Sequence, residues 1–355
     1  MLEIVMLQLT YRCNLKCKMC FYHGKYGNVP SYGHEMKFDD IKKIIDELEK
    51  FNVKYILTGG EPLLRKDFGK IIDYLSNKKI RYNLITNGVL ITKNIVKKIS
   101  KSNAINVSFS IDGPKKIHEK IRGKLHIFEK IEKNIELFNK YANHIPKTIA
   151  TTITKENINY LDEMVALAKI LKTRLVFIHL QFLNKNEICK HQLIYKKYFG
   201  TKSNCNIWFQ NKFNIYEVEK ICKKIELIKK LASELNFNID FLPNLDYQQI
   251  YNYYLANDYK HLKTCNLPWR HVIIDPYGNI YPCYPERFGY CIGNIKNTSI
   301  IDTFKSGRAI FFRKTLKGEK LFPACKRCCS LKVDSKKRKN SLTHIIEIKN
   351  NVMRP

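Results

Sequence analysis

The chain has 355 residues, 45% hydrophobic and 27% charged, and 63 Lys plus Arg against 32 Asp plus Glu leave a formal net charge of +31. These proportions fit a globular protein of about two domains and exclude a disordered, a collagen-like or a small disulfide-stapled chain. No stretch nears the roughly 18 uninterrupted apolar residues of a membrane span, and the N-terminus, with Glu3 and no basic region, does not read as a secretory signal. A cytoplasmic protein is expected.

Taken in order, the chain opens with a β-rich segment, Glu3 to Thr10, and Cys13, Cys17 and Cys20 follow at once in C-x3-C-x2-C spacing. Ile41, Ile44, Ile45 and Leu48 recur at helical spacing. Val53 to Thr58 reads as a second strand that ends in Gly59-Gly60-Glu61-Pro62, with a helix near Asp67 to Ser76. Arg81 to Thr86 is a third strand, ending at Asn87-Gly88, and Ile91 to Ile99 a third helix. Ile105 to Ile111 alternates as a fourth, inside Ser108-Phe109-Ser110-Ile111-Asp112-Gly113-Pro114, and Phe128, Ile131, Ile135 and Phe138 mark the helix after it. Thr148 to Ile153 and Leu175 to Leu180 complete six strands around a helix from Leu161 to Leu171.

Six consecutive βα units imply parallel strands with right-handed crossovers, hence an α/β fold with a partial (β/α)6 TIM-type barrel. Every motif falls just after a strand, where such sheets place their sites, so Cys13, Glu61, Asn87 and Asp112 should meet at one mouth.

Twelve cysteines without a secretion signal point to metal ligation rather than disulfides. Three thiolates on one short loop are one too few for a closed tetrahedral zinc site or for a cubane held by protein alone. On a [4Fe–4S] cluster they leave one iron open to chelate a small ligand. With the motifs in this order the chain resembles the radical S-adenosylmethionine (SAM) enzymes. The resemblance implies that Cys13, Cys17 and Cys20 hold the cluster, that Gly59, Gly60, Glu61 and Pro62 meet the SAM amino group, and that Asn87, Ser110 and Asp112 contribute SAM contacts. One departure is Met19, where the family usually has an aromatic residue near adenine; its apolar, polarizable thioether is expected to preserve SAM binding, with Phe21 and Tyr22 following as compensating aromatics.

Beyond residue 184 the repeat stops. Residues 185–214 are polar with interspersed aromatics (Tyr195, Tyr198, Phe199, Trp208, Phe209), read as ordinary packing in preference to a lid. A long helix through Ile221, Ile225, Ile228 and Leu231 follows, and Tyr247 to Tyr259 suggests another. Cys265 then precedes an expected hairpin: His271 to Asp275, the turn Pro276-Tyr277-Gly278-Asn279, and Ile280 to Cys283. The hairpin would carry Cys265 and Cys283 to one end, where Cys325 and Cys328 complete four thiolates. The pattern resembles the shortened SPASM extension, called Twitch, which holds one auxiliary [4Fe–4S] cluster; zinc fits the same four-thiolate spacing. Cys329 is the substitute for Cys328, and Cys291 a further candidate. The expected divisions are 1–184 (core), 185–264 (connection), 265–330 (extension) and 331–355 (basic tail).

The resemblance implies reductive cleavage of SAM to a 5′-deoxyadenosyl radical and hydrogen abstraction from a substrate C–H bond. With an auxiliary cluster to take up an electron, the outcome would be oxidative: dehydrogenation, or maturation of a peptide or small molecule. A ferredoxin or flavodoxin is the expected electron donor. The net charge raises the alternative of an RNA- or nucleotide-modifying enzyme, against which stand lysines scattered along helix faces and a single dense block, Lys336-Lys337-Arg338-Lys339. A non-catalytic iron–sulfur electron carrier is the alternative from another class.

Overall fold

The computed structural model describes residues 1–24, 29, 33–207, 213–255 and 265–330. The basic block 336–339, the tail, Trp208, Phe209 and the end of the Tyr-rich stretch lie outside them. The elements in chain order are β1 (Ile4–Gln8), α1 (Phe38–Leu48), β2 (Lys54–Thr58), α2 (Phe68–Asn77), β3 (Tyr82–Thr86), α3 (Lys93–Ser100), β4 (Ala104–Ser110), α4 (Lys115–Arg122), α5 (Phe128–Tyr141), β5 (Lys147–Ile153), α6 (Glu163–Ile170) and β6 (Arg174–His179). Then come α7 (Lys185–Phe199), α8 (Ile215–Glu234), β7 (Ile239–Leu242), α9 (Tyr247–Tyr254), β8 (His271–Ile274), β9 (Asn279–Tyr281), β10 (Gly293–Asn294), α10 (Ile300–Lys305) and α11 (Gly307–Gly318).

All described strands join one open sheet in the order β10-β9-β8-β1-β2-β3-β4-β5-β6-β7. The six expected strands are its centre, each parallel to the next. Two further parallel strands flank them. β7 runs beside β6, after the long crossover through α8. β8 runs beside β1, with Ile4 opposite His271 and Leu7 opposite Ile274. The cysteine-bearing hairpin is therefore not a separate lobe: its first strand continues the barrel sheet, and β9 and β10 turn antiparallel beyond it.

Both faces of this sheet are buried, as parallel strands require. Val5 and Leu7 of β1 pack in the large core with Tyr55, Leu57, Phe109 and Phe177 and with helix residues such as Ile41, Ile44 and Ile71. Ile4 and Met6 point the other way and form an inner cluster with Ile56, Ile273 and Tyr281. The segment after residue 184 is more ordered than its polarity predicts. α7 begins with a capping box, in which Asn184 accepts from the Glu187 amide and the Glu187 carboxylate accepts from the Asn184 amide. Its Tyr195 and Phe199 bury against Phe288, Tyr290, Phe312 and Phe322, so the aromatics tie the barrel to the extension by packing. No helix among the described residues is long and apolar enough to cross a membrane.

Candidate functional site

Two groups of cysteines come together, and each is built by backbone constraints that start in the sequence. The loop after β1 carries Cys13, Cys17 and Cys20. Gly59 and Gly60 end β2 directly beneath it: the Gly60 amide donates to Thr10 O (2.6 Å) and the Glu61 amide to Arg12 O (2.8 Å). A Cβ on Gly59 would lie 2.3 Å from Thr10 O, and one on Gly60 2.2 Å from Arg12 O. Side chains of any kind are shut out there, which is why the turn needs two glycines. The other flank of the loop rests on α4, where a Cβ on the C-terminal Gly123, at φ +69°, would lie 2.9 Å from Lys16 O, and Ile121 O accepts from the Lys18 amide (2.9 Å).

The three thiols line one open cleft of about 230 Å³, together with Gly59, Gly60, Asn87, Ser110 and Arg122. Burial pushes the Cys13 thiol up to about 11 and raises Cys17 and Cys20 as well. Polar groups nevertheless surround the sulfurs. The Tyr22 and His23 amides donate to Cys20 Sγ (3.4 and 3.3 Å), Arg122 Nη1 to Cys17 Sγ (3.5 Å), and Asn87 Nδ2 lies 4.0 Å from Cys13 Sγ while donating to Asn14 Oδ1 at 2.8 Å. Such a set stabilises thiolates once a cation neutralises them.

Not every expected contact faces the cleft. Glu61 is fully buried behind it, accepting from Thr86 Oγ1 (2.8 Å) and from the amides of Asn87 (2.7 Å) and Leu63 (3.2 Å), and burial raises its carboxyl to about 7. It fastens the ends of β2 and β3 together. Pro62 starts the short 3-10 turn that follows. Asp112 is also fully buried, paired with Arg122 Nε at 2.6 Å and accepting from the Thr152 amide at 2.9 Å. Met19 lines the cleft, but Phe21 and Tyr22 do not supply the expected aromatic surface. Phe21 packs toward Cys205 and Ala324, and the Tyr22 hydroxyl binds Glu286. Sequence reading missed Arg122, which ties cysteine loop to carboxylate, and Arg65, which donates to Leu9 O and Met36 O (3.0 Å each) and pairs with Asp67. The one local signal for the former was a helix-terminal Arg-Gly after the Ser110–Pro114 turn.

The second group gathers as the hairpin predicted. Cys265, Cys283, Cys325 and Cys328 line a single cavity with Arg287 and a wall of Phe288, Phe312 and Leu316. Burial raises Cys265 and Cys283 to about 12 and also pushes Cys325 well above the ordinary thiol value. Cys328 is drawn down by hydrogen bonds from Cys329 and Arg287. Cys329 does not line the cavity; its Sγ accepts from Gln181 Nε2 at 3.0 Å, just past the end of β6. Cys291 is held elsewhere, donating to Gly293 O at 3.1 Å. Among the described residues no three His, Cys, Asp or Glu side chains close tightly enough to hold a single metal ion. Thiols spread around a cavity suit a cluster, which takes one thiolate per iron.

A buried polar bridge joins the two regions. Gln8 Nε2 donates to Tyr22 Oη (2.9 Å) and to Glu286 Oε1 (3.2 Å), and Tyr22 donates to the same carboxylate. Burial raises the Glu286 carboxyl to about 7.

Comparison with known proteins matches a family to each of these two regions. Residues 7–168 match the radical SAM superfamily and residues 265–329 an iron–sulfur cluster-binding domain. A mycofactocin maturase, MftC, of Mycolicibacterium smegmatis is 33% identical over 163 residues, 45% of this chain and 40% of that protein. An Fe-coproporphyrin III synthase of Methanosarcina barkeri is 30% identical over 184 residues, 51% of this chain and 45% of that protein. The chain thus aligns with less than half the length of these relatives. The fold is that of Streptococcus suis SuiB bound to S-adenosylmethionine, with TM-score 0.66 and 16% identity over 93% of this chain and 72% of that one.

Proposed function

We propose that this chain, whose residues 7–168 match the radical SAM superfamily and whose residues 265–329 match an iron–sulfur cluster-binding domain, performs an oxidative modification at a substrate C–H bond. In this reading Cys13, Cys17 and Cys20 hold a [4Fe–4S] cluster with one open iron, and Gly59, Gly60, Asn87 and Ser110 cradle SAM beside it. Glu61, Pro62 and Asp112 act from behind, as the groups that fix the cradle. A reduced cluster with SAM bound there would supply 5′-deoxyadenosyl radical chemistry for hydrogen abstraction from the substrate.

The observation that carries the reading is the single cleft lined by three thiols, two glycines that exclude side chains, and the strand-end residues Asn87 and Ser110. The protein's part is binding, orientation and exclusion of water. Glu61 holds the β2 and β3 ends in register, Arg122 holds Cys17 against Asp112, and the amides after Cys20 steady its sulfur.

Cys265, Cys283, Cys325 and Cys328 are proposed to hold an auxiliary [4Fe–4S] cluster; the match to an iron–sulfur domain favours this over zinc. Four protein ligands leave no open iron, which suits electron transfer rather than substrate coordination. Relatives that include a maturase and a synthase leave a peptide and a small molecule as the two substrate classes proposed; a ferredoxin or flavodoxin is the proposed reductant. Anaerobic reconstitution, reduction and assay of 5′-deoxyadenosine test the proposal: formation supports it, and none from a protein holding its iron would leave only the electron carrier. RNA as substrate would make turnover fall steeply with salt.

A further inference from the structure

Resting on the reading that the four-thiol cavity holds an iron–sulfur cluster, we propose that Arg287 sets that cluster's reduction potential, raising it, and that Gln181 fixes the guanidinium in place. Arg287 is 1% exposed, and its side chain lines the cavity with Cys265, Cys283, Cys325 and Cys328. Its Nη2 donates to Gln181 Oε1 at 2.7 Å, and its guanidinium hydrogen-bonds Cys328 and stands 5.6 Å from the ring of Tyr284. The charge is felt by all the thiols of the group and by Cys329.

Two other guanidiniums of the extension are occupied away from the cavity. Arg327 pairs with Glu187 (2.6 Å) and donates to Tyr253 O (2.6 Å). Arg313 donates to Pro268 O (2.8 Å) and lies over the Phe304 ring. Neither lines the cavity, and Arg287 does.

A cluster gaining one electron gains one negative charge, and in a buried site a fixed cation beside its ligands favours that form. A hydrogen bond to a ligand sulfur acts in the same direction. Burying a charged side chain is costly, so a purely space-filling role would be met better by an apolar residue. Gln181 makes the placement specific. Its carbonyl oxygen takes the guanidinium and its amide donates to Cys329 Sγ at 3.0 Å, so one side chain after β6 holds both neighbours of the cavity.

The test uses the full chain with Cys13, Cys17 and Cys20 changed to Ala, reconstituted anaerobically, so that one cluster gives the signal. Dithionite titration followed by electron paramagnetic resonance gives the midpoint potential. Arg287→Gln is expected to lower the reduced-to-oxidised ratio at a fixed potential at least about tenfold, about 59 mV for one electron. Arg287→Lys, which keeps the charge on a looser stem, should fall between. Gln181→Glu sets a carboxylate against the guanidinium and should lower the midpoint too. A loaded Arg287→Gln protein with an unmoved midpoint overturns the proposal. If that variant takes up no iron, an unmoved midpoint in Gln181→Glu overturns it equally. A parent protein that binds zinc, or shows no reducible cluster, sinks the cluster reading and this proposal with it.

Discussion

Arg122 and Asp112 form a buried ion pair, Nε to Oδ2 at 2.6 Å, while Nη1 of the same guanidinium reaches Cys17 Sγ at 3.5 Å. One cation on α4 thus serves a carboxylate at the end of β4 and a thiol 105 residues earlier in the chain. Its position couples the stability of the barrel to the shape of the cysteine loop.

Asp112→Leu should leave that cation buried without its carboxylate, at a cost of about 3–5 kcal/mol. The double variant Asp112→Leu with Arg122→Met should recover much of the loss, since two apolar groups can replace a buried pair. Urea unfolding of the apo-protein checks both. A double variant no more stable than the single one would show that the pair is not the source.

Gly60→Ala should abolish iron uptake at the three-cysteine loop and spare the other group. Its methyl would sit 2.2 Å from Arg12 O and 2.6 Å from Tyr11 O, so the loop must move off β2. Reconstituted protein should fall from about eight irons to about four. Gly69→Ala, a helical site with 3.6 Å clearance to a flexible Lys98 side chain, is the control and should retain about eight.

Glu286 gives a pH dependence of definite sign. Burial raises its carboxyl from 4.5 to about 7, so the folded state favours the protonated form. Its stabilising contribution is complete below pH 4.5 and is lost as pH rises through about 7. Glu286→Gln stays neutral throughout, and should be of order 3 kcal/mol more stable than wild type above pH 7. Apo-protein denaturation at pH 5 and pH 8 measures it; an equal gain at both would refute titration as the cause.

Much of this was legible in the sequence, for local reasons. Each strand of the six-unit core has its own hydrophobic period, and each motif follows a strand end, so Cys13, Glu61, Asn87 and Asp112 were expected at one mouth; Cys13 and Asn87 line the cleft, whereas Glu61 and Asp112 are buried behind it. The second cysteine group was legible because Gly278, at φ +83°, makes the hairpin turn that carries Cys265 and Cys283 to one end. What stayed hidden depends on contacts distant in sequence. Nothing near Arg287 or Gln181 announces that they meet, and β7 and β8 are short segments whose parallel partners lie far away. Phe21 and Tyr22 were misread because adjacency in sequence says nothing of direction; one faces Cys205 and the other Glu286.

Glu187 serves two structures at once, and the two can be separated. Its carboxylate closes the capping box of α7 and pairs with Arg327 at 2.6 Å, next to the Cys325–Cys328 turn. Glu187→Gln keeps the cap and loses the ion, so it should cost about 3–5 kcal/mol. Asn184→Ala loses only the cap, at about 1 kcal/mol. Thermal unfolding of the two variants should rank them in that order.

The pairing of β8 with β1 has a consequence for biosynthesis. Ile4 to Leu7 hydrogen-bond on one side to residues 54–57 and on the other to residues 271–274. While the ribosome is still making the middle of the chain, one edge of the strand before the first cysteine loop stays bare. Closure of that edge by a segment so remote is slow, and an uncapped parallel edge invites pairing with another nascent chain. A chain stopped after β6 should therefore accumulate as aggregate, and assembly of the first iron site should wait until the last third of the polypeptide has emerged.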